Sequence, residues 1–118
     1  GEIISSAKAK LEVDKKLILC EGEGNGPVHA LDNAIRNNVD KLAKYSQYLK
    51  DLKLVDYKVR ILNTGTEAVT RVSIESTDSK GKNWFTIGVS ANIIDASFKA
   101  LVDSLDYKLF KDKAPASL

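Results

Sequence analysis

Residues 20 to 29, CEGEGNGPVH, combine the residue types and spacing that are best suited to chemistry in this sequence. Three alternating glycines precede Pro27, and an amphipathic pattern begins at that proline. A glycine-rich turn that opens a helix presents backbone N–H groups that have no partner inside the helix. We therefore expect open amides around Asn25, Gly26 and Val28, where an anion could bind.

Two phosphate-binding motifs can be compared with this turn, and neither fits. A dinucleotide fingerprint requires glycine at the last position of G-x-G-x-x-G, where this sequence has Pro27. A Walker A loop requires Lys followed by Ser or Thr after its last glycine, where Pro27 and Val28 stand. Phosphate chemistry therefore has little support.

A different chemistry would use Cys20 and His29, the only cysteine and the only histidine of the chain. A cysteine activated by a histidine is a nucleophile, and the spacing permits such a pair. Cys20 lies in an apolar strand pattern, however, where thiols are usually buried and inert. A small cysteine-dependent enzyme stays as a remote alternative to a buried cysteine and a histidine on a helix surface. No His, Cys or carboxylate cluster has the spacing of metal ligands, so no cofactor is expected in this chain.

Length and composition predict a single soluble, globular domain over residues 1–118. The hydrophobic fraction is 43% and the charged fraction 29%, and no apolar run approaches the roughly 20 residues of a membrane span. A single cysteine favours an intracellular, cytoplasmic location. The 18 basic and 16 acidic residues are interspersed, so neither nucleic acid nor a membrane is an expected partner. The absence of methionine suggests a piece of a longer chain.

Hydrophobic periodicity predicts elements in the order β-β-α-β-β-β-α. A first helix begins at Pro27, which suits the first helical turn, and ends near Tyr45. A second helix runs from about Asn92 to Phe110. The apolar stripe of the first helix is Val28, Leu31, Ile35, Val39 and Leu42, and that of the second is Ile94, Phe98, Leu101, Leu105 and Leu109. The strands are expected at residues 6–13, 15–21, 53–62, 68–76 and 83–90.

The chain contains a weak internal repeat of two units, residues 6–45 and 53–110. In each unit a strand ends in small residues and leads into a helix that carries Ala at positions i and i+4. The aligned pairs are Gly22 with Gly88, Ala30 with Ala96, Ala34 with Ala100 and Ile35 with Leu101. This pattern predicts an α+β fold of pseudo-symmetric β-β-α and β-β-β-α units, whose sheets pack with two helices. Small residues on both helices also favour close helix packing or a dimer.

Four segments resemble the C-terminal regulatory domain of the 2-isopropylmalate synthase and citramalate synthase family. They are GEGNGPVHALDNAI, LVDYKVRIL, TRVSIES and WFTIGVSANIIDASFKALVDSLDYKL. The resemblance covers nearly the whole chain, and the G-N-G-P turn followed at a distance by D-Y is its most specific feature. The segment GVSANIIDAS and the closing SLDYKL are more similar to the citramalate synthase members.

The resemblance implies a domain that dimerises and binds an end-product amino acid at the dimer interface, thereby inhibiting a distant catalytic barrel. That barrel, with its divalent metal and its acetyl-CoA site, would be absent from this chain and would be its partner in the full-length enzyme. The implied effector is isoleucine, and the parent enzyme would condense acetyl-CoA with pyruvate. Leucine feedback on 2-isopropylmalate synthase is the alternative, because the two side chains differ only in branch position.

A free amino acid presents three groups, and the resemblance implies partners for each. The carboxylate would meet amides at the glycine turn or at the start of the second helix, and the ammonium would meet Asp56 or carbonyls of the glycine turn. Leu54 and Tyr57 would line the side-chain pocket, although their odd spacing requires a bulge or two separate walls. The expected effector-binding residues are Gly24, Asn25, Gly26, Val28, Leu54, Asp56, Tyr57, Ile61, Val72, Ala91, Asn92 and Ile93.

Overall fold

The computed structural model of the chain describes residues 4–13, 16–38, 45–63 and 65–114. Its elements are β1 (Ser5–Val13), β2 (Lys16–Gly24), α1 (Pro27–Arg36), α2 (Ser46–Leu49), β3 (Lys53–Asn63), β4 (Ala68–Thr77), β5 (Asn83–Ser90) and α3 (Ile93–Lys111). The expected α+β fold and element order are confirmed, with α2 as an additional short helix. β1 and β2 form a two-stranded sheet, and β3, β4 and β5 form a three-stranded sheet.

The two-stranded sheet is an antiparallel hairpin in which Val13 pairs with Lys16. The turn residues 14 and 15 lie outside the described part of the chain. Cys20 pairs with Ala9, and both lie on the inner face, which packs against α1. Every second residue of β1 points inward, as expected for a strand with one buried face, and these residues are buried: Ala7, Ala9 and Leu11.

The three-stranded sheet is an antiparallel meander with β4 in the middle. Its inner face, which packs against α3, carries the buried residues Val72, Ile74 and Trp84. β3 is an edge strand and is exposed along nearly its whole length. The ladder between β3 and β4 shifts register between Leu54 and Asp56, which marks a β-bulge.

The internal repeat corresponds to a repeated contact between a strand glycine and a helix backbone. A Cβ on Gly22 would lie 2.7 Å from Cα of Ala34 and 2.9 Å from the carbonyl oxygen of Ala30. A Cβ on Gly88 would likewise overlap the carbonyl of Ala96 and would lie 2.8 Å from the amide nitrogen of Ala100. The aligned positions therefore make equivalent contacts, and the two units share one packing geometry. α1 and α3 also contact each other, so the helices join the two sheets.

α1 ends at Arg36, so the prediction that this helix extends to Tyr45 was wrong. The side chain of Asn38 donates to the carbonyl of Ala34 at 2.8 Å, in place of a further helical N–H. Asparagine side chains compete with the helical hydrogen-bond ladder in this way and favour helix ends. Two members of the predicted stripe, Val39 and Leu42, fall in residues 39–44, outside the described residues. The other members are buried as expected: Val28, Leu31 and Ile35.

α3 begins directly after Asn92, close to the expected start, but its buried side differs from the predicted stripe. Ile94 is 43% exposed, whereas Leu101 is buried and the other members of the predicted stripe are partly buried against the core: Phe98, Leu105 and Leu109. Because Gly88 brings the helix close to β5, small residues occupy the contact instead of large apolar ones. The buried residues of α3 are Ala96, Ser97, Ala100, Leu101, Ser104 and Lys108. Neither this helix nor any other among the described residues is long and apolar enough to cross a membrane.

The C-terminal end of α3 is held by an ion cluster around Lys108, whose side chain is 1% exposed. Its Nζ lies 2.9 Å from Oδ2 of Asp78 and 3.1 Å from Oδ1 of Asp51. Asp112 and Lys111 complete the cluster. Because Asp78 follows the end of β4 and Asp51 precedes the start of β3, where Lys53 pairs with Thr77, the cluster fixes the end of the helix to this one end of the sheet.

The cluster shifts pKa values in the directions expected for paired charges. Burial alone would lower the pKa of Lys108, but hydrogen bonds to three carboxylates outweigh it and raise this pKa. A hydrogen bond from Ser79 is the main cause that lowers the pKa of Asp51 to about 2. Burial opposes ionisation of Asp78, yet hydrogen bonds from Lys111 and Lys108 hold its pKa below the usual value. These groups are therefore charged at neutral pH.

Candidate functional site

The start of α1 is the first of the regions predicted to bind a ligand. Gly26 is the N-cap, with φ of 145°, and Pro27 occupies the first helical position. The helix has no side-chain cap and no acidic residue in its first turn. Pro27 has no N–H, and Ala30 donates to the carbonyl of Gly26 at 2.9 Å. The amides left for an anion are therefore those of Gly26, Val28 and His29.

The imidazole of His29 shapes this turn, a role that the sequence analysis missed. Its Nδ1 accepts a hydrogen bond from the amide of Asn25 at 3.1 Å, so that amide is not open, contrary to expectation. Asn33 Nδ2 donates to the carbonyl of Glu23 at 2.8 Å and lies 3.3 Å from Nε2 of His29. Asn25, His29 and Asn33 follow one another at intervals of four residues, and this spacing is the signal that could have indicated the arrangement.

Gly24 ends β2 and does not belong to the turn, because the strand continues past residue 21, where it was expected to end. A Cβ on Gly24 would lie 2.7 Å from Nδ1 of His29 and 2.7 Å from the amide nitrogen of Ala30. The first turn of α1 therefore covers this glycine. Its structural role is to allow the close approach of α1.

The start of α3, the predicted counterpart, is already capped. Oδ1 of Asn92 accepts from the amide of Asp95 at 2.8 Å, and Oδ2 of Asp95 accepts from the hydroxyl of Ser90 at 3.2 Å. Asp95 places a negative charge in the first turn, which disfavours a second anion there. Ala91 and Asn92 are exposed, and Ile93 is half-buried. Of the two pseudo-equivalent helix starts, that of α1 is the better suited to a carboxylate.

The bulge in β3 places the three predicted apolar residues of this strand on one face. The ladder partners of Leu54, Tyr57 and Ile61 all lie on the inner face of β4: Ser76, Ile74 and Thr70. The odd spacing of Leu54 and Tyr57 is thus resolved by the bulge. Leu54 is half-buried, Tyr57 is 38% exposed and Ile61 is 69% exposed. They form an apolar surface that α3 leaves open.

Two further predicted residues lie away from this surface. Val72 is 0% exposed beneath α3 and is a core residue in a single chain. Asp56 pairs with Glu75 on the outer face of the sheet, and its Oδ1 accepts from the amide of Tyr57 at 2.8 Å. As a correction to the expected site, Asp56 lies on the opposite face from Leu54 and Tyr57, so one pocket in a single chain cannot use all three.

A small cavity lies at the C-terminal end of α1, lined by Leu54, Arg36 and Leu105 among others. Its volume is about 20 Å³, which is room for about one water molecule. The guanidinium of Arg36 forms an ion pair with Asp32 at 2.8 Å beside it. The cavity is therefore too small to hold an amino acid.

One chain does not bring all the predicted residues together. Leu54 lies at the C-terminal end of α1, whereas Gly26 lies at the N-terminal end. The ten residues of the helix separate these ends by about 15 Å. Ile61 lies at the same end of the sheet as the start of α3, because it shares a partner with Ser90, namely Thr70. A small ligand that touches both the glycine turn and Leu54 would need a second chain.

The alternative nucleophile pair has no access to a substrate in this structure. Cys20 is 1% exposed on the inner face of the two-stranded sheet. Both ring nitrogens of His29 face groups of the chain itself, the amide of Asn25 and the side chain of Asn33. A cysteine-dependent reaction is therefore unsupported.

The family model described as the LeuA allosteric (dimerisation) domain matches residues 1–109. The chain belongs to this family. It is thus a dimerising regulatory domain, and the resemblance found from its glycine turn and its second helix is confirmed.

The regulatory domain is similar to parts of larger enzymes. It is 48% identical over 112 residues to the (R)-citramalate synthase of Geobacter sulfurreducens, covering 93% of this chain and 20% of that protein. It is 50% identical over 111 residues to the (R)-citramalate synthase of Aquifex aeolicus, covering 92% and 20%. It is 38% identical over 106 residues to the 2-isopropylmalate synthase of Clostridium acetobutylicum, covering 88% and 17%. The chain therefore spans about a fifth of the length of the curated relatives that it matches.

Proposed function

We propose that this regulatory domain binds isoleucine and inhibits a citramalate synthase-like parent enzyme by feedback. The observation that carries the proposal is the ranking of the relatives, with (R)-citramalate synthases at 48% and 50% identity and 2-isopropylmalate synthase at 38%. Isoleucine is the end product expected to regulate an enzyme that makes citramalate.

The parent enzyme would condense acetyl-CoA with pyruvate in the cytoplasm. Its catalytic barrel would hold the divalent metal and would lie outside this chain, which itself would carry out no chemistry. Leucine regulation of a 2-isopropylmalate synthase is the second candidate, and the 38% identity to the Clostridium acetobutylicum enzyme is the observation in its favour.

The effector's carboxylate would bind at the start of α1. The amides of Gly26, Val28 and His29 remain there for an anion, and the positive end of the helix dipole favours it. Backbone carbonyls of the turn would accept hydrogen bonds from the ammonium group. The capped start of α3, with Asp95 in its first turn, is a weaker candidate for the carboxylate.

The effector's side chain would pack on the apolar inner surface of β3. Leu54, Tyr57 and Ile61 share that face, and two of them are well exposed in the single chain. Because the start of α1 lies far from Leu54 within one chain, the site would combine the β3 surface of one protomer with the glycine turn of the other.

Inhibition requires that isoleucine bind one arrangement of the dimer more tightly than another. A ligand shifts a two-state equilibrium only by its differential affinity for the two states. An effector that contacts both protomers has this property, because its contacts depend on how the protomers are placed.

Titration calorimetry of the 118-residue chain with isoleucine, leucine and valine in parallel tests the proposal. We expect saturable binding of isoleucine, with leucine weaker by a factor of about 10 to 200, the range that one misplaced methyl group can produce. Tighter binding of leucine than of isoleucine would instead indicate that the parent enzyme is a 2-isopropylmalate synthase. No binding of any of the three would contradict the proposal for this chain.

A matched pair of substitutions tests the position of the side chain. Ile61→Ala removes an apolar side chain from the inner face of β3, whereas Ile87→Ala makes the same change on the outer face of β5. We expect the first to weaken isoleucine binding about tenfold or more, since burial of one side chain contributes about 1.5 to 3 kcal/mol. The second should leave the affinity within about twofold, and equal effects would contradict the placement.

A further inference from the structure

The outer face of the three-stranded sheet places like charges directly opposite each other on β3 and β4. Asp56 pairs with Glu75, and Arg60 pairs with Arg71. Opposite residues of an antiparallel ladder have Cβ atoms about 4.5 to 5.5 Å apart, and like charges there are destabilising. Among the described residues, none of these four side chains forms an ion pair. Neither couple is therefore neutralised by a direct ion pair within the described part of one chain, although Lys58 lies beside Asp56 on the same face.

β3 is also an edge strand, with no neighbour on its far side among the described strands. It has 11 residues and pairs only with β4 among the described strands. Its inner-face residues Tyr57, Val59 and Ile61 are 38%, 38% and 69% exposed. Long, apolar edge strands pair with other chains unless they are covered or protected. The bulge limits regular pairing to the segment from Asp56 onward.

We propose that two copies of this chain join by antiparallel pairing of their β3 strands about a two-fold axis at Lys58, which creates a continuous six-stranded sheet. Asp56 then lies opposite Arg60 of the partner subunit, and the reverse pair forms by symmetry. The acidic couple of Asp56 and Glu75 in each protomer thereby lies beside the basic couple, Arg60 and Arg71, in the other protomer. A second copy is the expected occupant because the domain belongs to a dimerising family.

The inner face of the same register is apolar. Tyr57 lies opposite Val59 of the partner subunit, so that these two apolar side chains contact each other on each side of the axis while the inner face itself stays open to an effector. Lys58 faces its own copy on the outer face, where the two long side chains can turn away from each other into water. On the outer face, pairing about Lys58 therefore creates one like-charge contact, between the two copies of Lys58, and two opposite-charge contacts between Asp56 and Arg60.

The neighbouring symmetric registers fit less well. Pairing about Val59 would place Lys58 opposite Arg60 of the partner subunit twice, which adds repulsion. Pairing about Tyr57 would place Asp56 opposite Lys58 of the partner subunit but would extend into the bulge after a single pair on each side. The charge couples therefore select the register about Lys58.

Sedimentation equilibrium without any amino acid tests this interface, so its outcome is independent of the effector. We expect Asp56→Arg and Arg60→Asp each to raise the dimer dissociation constant about tenfold or more, because each turns two attractive contacts into repulsive ones. The double variant D56R/R60D should return the constant to within about threefold of the original, since it restores both opposite-charge pairs. Far-UV circular dichroism checks that each variant is folded.

Matched controls lie on the other sheet, where Lys8 and Glu21 form an exposed ion pair at 3.8 Å across β1 and β2. Glu21→Arg and Lys8→Asp make the same charge changes there and should leave dimerisation unchanged. The proposal would be overturned if the chain were monomeric, or if the single variants dimerised as tightly as these controls. It would also be overturned if Lys58→Asp, in place of Arg60→Asp, restored the dimerisation of D56R.

Discussion

At the scale of single residues, Gly22 and Gly88 set how closely the two helices approach the sheets. Each glycine lies beneath two helical alanines, and a Cβ at either position would overlap helix backbone. Backbone cannot move aside as a flexible side chain can. We expect Gly22→Ala and Gly88→Ala each to lower the free energy of unfolding by about 3 kcal/mol, measured by urea denaturation at one protein concentration.

Gly81→Ala is the control for these two substitutions. Gly81 has φ of 78°, and a Cβ there would meet nothing within 4 Å. Its substitution should cost only about 1 to 2 kcal/mol of backbone strain. If Gly22→Ala were no more destabilising than Gly81→Ala, the close packing of α1 on β2 would not be a major constraint.

The sequence predicted some residue roles and missed others for physical reasons. The glycine and alanine repeat was visible because both identity and spacing were conserved between the two halves of this one chain. The hydrogen bond from the Asn25 amide to the His29 imidazole was not predicted, because it depends on the side-chain rotamer of His29. The bulge that unites Leu54 with Tyr57 was inferred only as a requirement, since bulges have no fixed sequence pattern.

At the scale of elements, strands were predicted closely and helix ends were not. Strand alternation depends on local side-chain burial, which the sequence displays directly. The end of α1 depends on Asn38, whose side chain bonds the carbonyl of Ala34. The buried side of α3 depends on the glycine beneath it, so apolar periodicity pointed to Ile94 where the structure buries Ser97 and Lys108.

The end of α3 depends on Lys108, because its ammonium joins three carboxylates from separate parts of the chain. Lys108→Met keeps a similar side-chain volume but leaves Asp78, whose side chain is 0% exposed, with less neutralising charge. We expect the free energy of unfolding to fall by about 3 kcal/mol, the lower end for a broken buried ion pair, since Lys111 still contacts Asp78.

Lys80→Met provides the comparison in the same cluster. Lys80 contacts Asp112 at 3.2 Å, but its side chain is 65% exposed. Exposed ion pairs contribute only about 0 to 1 kcal/mol, so this variant should unfold almost at the original urea concentration. Equal losses in the two variants would argue that burial does not decide the strength of this cluster.

At the scale of the whole molecule, the fold could be predicted further than the site. Each unit's pattern is local, but the predicted ligand residues lie at separate places in one chain, at the two ends of α1 and along β3. Spacing in the sequence does not show which of these places a second chain completes. The charge couples on the outer face became visible only when the register of β3 and β4 was known.

The two units should unfold together, because the first unit is close to the roughly 40-residue size below which a domain is rarely stable alone. Leu31 is 1% exposed in α1 of the first unit, and Trp84 is 6% exposed in the second. We expect Leu31→Ala to lower the free energy of unfolding by about 2 to 5 kcal/mol. Trp84 fluorescence and far-UV circular dichroism should report the same shift in the same sample, because both units share the contact between α1 and α3.

Leu19→Ala, on the outer face of the same hairpin where Leu19 is 60% exposed, should change stability by no more than about 0.5 kcal/mol. A Trp84 transition that stays at its original position in Leu31→Ala while the circular dichroism shifts would mean that the second unit folds independently. The contact between the helices would then be an interface between two domains, and an effector bound at the start of α1 could not influence the second unit through the shared core.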